Sequence, residues 1–93
     1  MQPTVVMNHH RQTAIIVGKK GSKLEIIKLG KGRLTVTALA AQDIEAQGYT
    51  VSHYSPSQAA RSYLNHGAGV SERARKYLEQ IACTEYSDRL NLI

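Results

Sequence analysis

Ninety-three residues, 42% apolar and 20% charged, describe one globular domain of ordinary composition and exclude wholesale disorder. Twelve Lys and Arg against seven Asp and Glu give a formal charge of +5, which favours an anionic partner. The single cysteine, Cys83, excludes an internal disulfide, and no run approaches the ~18 apolar residues of a membrane span.

Met1 to Met7 lacks a cationic stretch followed by an apolar one, so the expectation is a cytoplasmic protein without a membrane contact. Five tyrosines with neither Phe nor Trp predict a shallow core, its tyrosine rings marginal and their hydroxyls bonded or wet.

Along the chain, Thr4 to Met7 and Thr13 to Val17 are β-branched runs that read as strands. Gly18-Lys19-Lys20-Gly21-Ser22 then turns the chain, because glycine tolerates the positive φ of tight hairpins. In the third run, Leu24 and Ile26 occupy one face while Ile27 and Leu29 occupy the other. That change of phase predicts a bulge, or a strand bending between two faces as in small barrels. Gly30-Lys31-Gly32 makes the next turn, and Leu34, Val36 and Ala38 alternate with Thr35 and Thr37 as a half-buried strand. Leu39 to Gln47 predicts a short helix stopped at Gly48, and Tyr49 to His53 returns to alternation. Residues 1–54 are therefore expected to form a small SH3-like antiparallel β-barrel or a strongly bent sheet, with a short helix near 39–47.

Residues 55–83 read as two helices, which makes the fold class α+β with a C-terminal helical hairpin. Ser55 and Pro56 suit the first helix start, and Gln58 is placed to complete a capping box. Ala59, Ala60, Tyr63 and Leu64 share a face of that helix, and Gly67 ends it. Ser71 caps the second helix, on which Val70, Ala74, Tyr77, Leu78, Ile81 and Ala82 form an apolar stripe. The tail, residues 84–93, carries Leu90, Leu92 and Ile93, which are suited to docking on a partner or a second copy.

Gly69-Val70-Ser71 followed by an Arg-rich helix through Tyr77-Leu78 resembles the recognition helix of DNA-reading helix-turn-helix motifs. Asn65 and Arg75 depart from that pattern at positions that call for a small and a buried residue, and the connection before Gly69 is long. An αα-hairpin packed on the sheet accounts better for the same residues.

Six Lys or Arg fall between Lys19 and Arg33 against one carboxylate, Glu25. Their flanking glycines place them at hairpin tips and flanks, where a polyanion can be met. The expected contacts to nucleic acid are Lys19, Lys20, Lys23, Lys31 and Arg33, with Arg73, Arg75 and Lys76, and also Arg61, as a second group. Lysine predominates in the first group and lacks the planar fork of arginine, which points to sequence-independent attraction. The alternative is an adaptor or inhibitory module that turns the same cations toward an acidic protein surface.

Neither glycine-rich stretch has the spacing of a phosphate-binding loop, and no catalytic constellation is complete. His9 and His10 are expected to point apart, as neighbours in a strand do, and with His53, His66 and Cys83 they lack paired metal-ligand spacing. The expectation is a non-enzymatic binding protein with no cofactor and no metal.

Overall fold

The β-branched runs pair as their composition predicts. In the computed structural model, which describes residues 2–84, Thr4–Met7 (β1) runs antiparallel to Thr13–Lys20 (β2). β2 pairs with Lys23–Lys28 (β3), and β3 with Val36–Leu39 (β4). Ala41–Ala46 (α1) then carries the chain across the sheet to Thr50–Val51 (β5), which pairs with β1. Pro56–Leu64 (α2) and Glu72–Cys83 (α3) complete the described chain. The tail expected to dock on a partner or a second copy falls outside the described residues, Thr84 excepted.

The sheet order β4-β3-β2-β1-β5 is open, which corrects the expected SH3-like barrel. Closure requires the two edge strands to bond each other, and here β4 and β5 lie at opposite edges. β5 contributes only two residues, too few to bridge a barrel, and helices cover the sheet instead. On one face Val5, Ile15, Val17 and Ile27 pack with Ala60 and Tyr63 of α2 and Ala74, Leu78 and Ile81 of α3. On the other, Val6, Ala14, Ile16 and Ile26 pack with Ile44 of α1 and Tyr49.

This two-sided burial explains the change of phase read in the third run. Ile26 and Ile27 are both fully buried because each face has its own cover. A bulge is present, but it lies on the neighbouring strand: Ile16 pairs with Ile26 and Gly18 with Glu25, leaving Val17 as the extra residue.

The helical hairpin packs through the two apolar faces read from the sequence, including Ala59, Leu64, Tyr77 and Ala82 at the core margin. Ser71 caps α3, its hydroxyl accepting from the Ala74 amide at 3.2 Å. Ser55 occupies the N-cap of α2 but makes no side-chain cap bond; its hydroxyl lies 3.0 Å from that of the buried Ser57 instead. Gly48, at φ 82, ends α1, and a Cβ there would approach His9 Nδ1 to 2.7 Å. The tyrosines divide: Tyr49 and Tyr63 are buried, whereas Tyr54 is exposed, so the core is deeper than composition implied.

Candidate functional site

The eight residues expected to touch nucleic acid fall into separate groups. Lys19, Lys20 and Lys23 lie at the β2–β3 hairpin, all exposed. Lys31 and Arg33 sit beyond the far end of β3, about 17 Å away along the strand at ~3.3 Å per residue. Their turn is tied to the α2–α3 connection: His66 Nε2 lies 2.9 Å from the Gly32 carbonyl, and Leu34 bridges to Val70. Arg73, Arg75 and Lys76 are exposed on α3, but at about 100° per residue Arg75 faces away from Arg73. Arg61, on α2, donates to the Ala82 carbonyl at 3.3 Å.

One pair of groups does meet. Glu25 pairs with Gly18 on β2 and points to the helix-covered face, as do its strand alternates Lys23 and Ile27. There its carboxylate accepts from the Tyr77 hydroxyl and from the Arg73 guanidinium. Glu25 is 3% exposed while the Arg73 side chain is 56% exposed, so the acid lies just under the surface beneath its partners. The Tyr77 hydrogen bond and the Arg73 charge, with Lys20 adding to them, hold the carboxyl below its ordinary range against the opposing effect of burial. The same hydrogen bond, with burial, pushes the Tyr77 phenol up. Gly18 leaves room for this contact: a Cβ there would lie 3.2 Å from both Glu25 Oε1 and the Tyr77 hydroxyl.

Lys20 of the hairpin and Arg73 in the first turn of α3 are thereby joined around one acid. Among the described residues, Arg73–Glu25 is the one ion pair. Lys76 projects from α3 between Glu72 and Glu79, four and three residues away respectively, on a face of mixed sign.

The cations expected to track nucleic-acid phosphates are thus spread over separate groups among the described residues. A phosphate backbone is met by a continuous row of cations, and here the row is broken by the length of β3 and by the α3 carboxylates.

A second site carries no signal in the expected residues. A cleft of about 470 Å³ opens between α2 and the β1–β2 end of the sheet. Val5, Met7 and Ala59 line its floor, and Tyr63 and Thr13 its inner wall. The Tyr63 hydroxyl donates to Thr13 Oγ1 at 3.0 Å, and burial pushes the phenol to about 12. Leu29 and Tyr54, two of the three large apolar side chains exposed among the described residues, stand at its rim.

Arg11 completes the rim, and it is the one described non-glycine residue at positive φ, 64°. Asn8 fixes the turn that presents it. Buried Asn8 accepts on Oδ1 from the amides of His10 at 2.9 Å and Gln12 at 3.0 Å, and its carbonyl accepts from the Arg11 amide. In this turn the His9 and His10 rings lie side by side with centroids 4.1 Å apart, so they do not point apart as strand neighbours would. No group of three or more potential metal ligands gathers among the described residues.

Asn8 followed by four polar residues between two β-branched runs is a turn signal readable in the sequence. The left-handed backbone of Arg11 is not, since most arginines never adopt it.

No described helix is long and apolar enough to cross a membrane. Comparison with protein-family models, curated proteins and solved structures finds no match to this chain.

Proposed function

We propose that this protein is a non-enzymatic interaction module that meets an acidic surface of a partner protein at the junction of the β2–β3 hairpin and α3. One observation carries the reading. Lys20 and Arg73 of α3 both act on a single buried carboxylate, Glu25, and Lys23 stands opposite Lys20 on the same face of the sheet. That acid orients the guanidinium and offsets one charge, which leaves the cluster positive. Arginine held in place by a carboxylate and a tyrosine loses little freedom on meeting a second carboxylate. A compact cluster of this kind suits discrete side-chain carboxylates.

Titration with poly-glutamate and with duplex and single-stranded oligonucleotides, across a range of salt, tests the reading. Poly-glutamate is expected to bind at low salt and to weaken as salt rises. The Lys20→Glu, Lys23→Glu double variant is expected to lower its affinity about tenfold or more. Absence of poly-glutamate binding at low salt, or tighter binding of oligonucleotides at every salt concentration, overturns it.

A further inference from the structure

We propose that the cleft between α2 and the β1–β2 turn binds an extended segment of a partner protein, placing an apolar side chain on its floor and the carboxylate of an adjacent acidic residue against Arg11. The proposal takes the class of partner from the interaction-module reading but uses a different surface.

Three features converge on this occupant. The floor of Val5, Met7 and Ala59 is apolar, and the cleft falls within the ~300–1,000 Å³ of ordinary binding sites. Among the described residues Arg11 is the only charged side chain in the lining, and it forms no ion pair with a described carboxylate. Its backbone is held in a conformation that L-residues avoid, by a buried asparagine that satisfies two amides of the same turn. Strain retained in this way is concentrated at functional positions, and here it holds Arg11 at the edge of an apolar hollow.

The rim argues for a polypeptide over a small molecule. Tyr54, 59% exposed, and Leu29 stand above the floor, where a compact ligand would leave them uncovered. A chain that continues past its anchor residue covers both. Tyrosine and arginine bordering an apolar hollow are also the residue types that dominate binding energy at protein contacts. Inside the cleft the Tyr63 phenol, pushed up to about 12, stays a neutral hydroxyl and adds no repulsion to an acidic ligand.

The test uses isotope-labelled protein and a terminally blocked hexapeptide carrying one leucine beside one glutamate. Saturable shifts are expected at the amides of Met7, Thr13, Leu29 and Ala59. Replacing the peptide glutamate by glutamine, or Arg11 by glycine, is expected to weaken binding about tenfold or more, the effect of one charge-assisted hydrogen bond. Arg11→Gly keeps the turn, because glycine prefers the φ found there. Tyr54→Ala is expected to weaken binding as well, which checks the rim by an independent route.

No saturable shift at millimolar peptide, or binding that Arg11→Gly leaves unchanged, overturns the proposal. Equal affinity for phenylacetate alone overturns the polypeptide occupant. The Lys20→Glu, Lys23→Glu variant is expected to bind the hexapeptide normally while losing poly-glutamate. Loss of both ligands in that variant would instead assign the acidic contact to the hairpin, ending the cleft proposal and leaving the module reading in place.

Discussion

Glu25 with Arg73 and the turn at Arg11 are two ways of handling charge in one small fold. At Glu25 the protein turns an acid inward and covers it with Tyr77 and Arg73, joining the β2–β3 hairpin to α3. At Arg11 it does the reverse, using a buried amide to hold a cation at the rim of an apolar cleft with no acid among its described lining residues. The first arrangement ties two elements of the fold together. The second costs the fold some stability, since an arginine at φ 64 is strained by about 1–2 kcal/mol. A cation held by an acid and a cation held by its own backbone can thus be told apart, which a count of lysines and arginines does not reveal.

The largest effect is expected at Glu25. Glu25→Leu removes the acceptor of two hydrogen bonds and is expected to cost about 2–3 kcal/mol in urea unfolding. The half-exposed Arg73 can turn to water, which holds the loss below that of a fully buried pair. The pH dependence follows from the direction of the shift. A carboxyl held below its ordinary 4.5 contributes stability above that pH, and the contribution is lost as pH falls through the lower folded-state value. Glu25→Gln is expected to remove this part of the acid limb while leaving hexapeptide binding at Arg11 unchanged. A loss of peptide binding would show that the two charged sites are coupled.

A smaller effect is expected in alkali, at the wall of the cleft. Tyr63 is pushed from 10 to about 12 by burial, so its contribution is intact below pH 10 and fades as pH rises toward 12. A shift of that size corresponds to about 3 kcal/mol in full, of which about half is lost by pH 11. Tyr77, also raised, adds to the same alkaline limb through its bond to Glu25. Tyr63→Phe is expected to flatten the limb, and denaturant titrations at pH 8 and pH 11 would measure how much remains.

Much of the fold was legible because it rests on local pattern. The β-branched runs, the glycine turns, the cap at Ser71 and the apolar stripes of α2 and α3 each follow from side-chain period or backbone preference. Barrel closure failed because it depends on where distant edges end, and no residue of β4 reports that β5 is two residues long. Ile26 and Ile27 misled for a related reason. Consecutive buried isoleucines mean a bent strand when one face is covered, and an ordinary strand when both are. In the candidate sites, Glu25 could have been found as the lone acid alternating with Ile27 and Lys23 on one face of a strand. The Arg11 site could not, since its parts come from β1, β2, α2 and three loops and meet only in three dimensions.

The smallest effect, and the most discriminating, is expected at Arg11 itself. Glycine relieves a left-handed backbone without disturbing the Asn8 hydrogen bonds, which involve main-chain amides of the turn and the Gln12 side chain. Arg11→Gly is therefore expected to stabilise the fold by about 0.5–1 kcal/mol, after allowance for the extra freedom of glycine in the unfolded chain. Arg11→Ala removes the same guanidinium but keeps the strain, so it is expected to leave stability near that of the parent. Thermal unfolding of the two variants separates backbone from side chain. If both destabilise the protein equally, the guanidinium is holding the turn together and Arg11 belongs with Glu25 as a structural charge. If glycine stabilises and both abolish peptide binding, the strain is maintained for the sake of what the arginine meets.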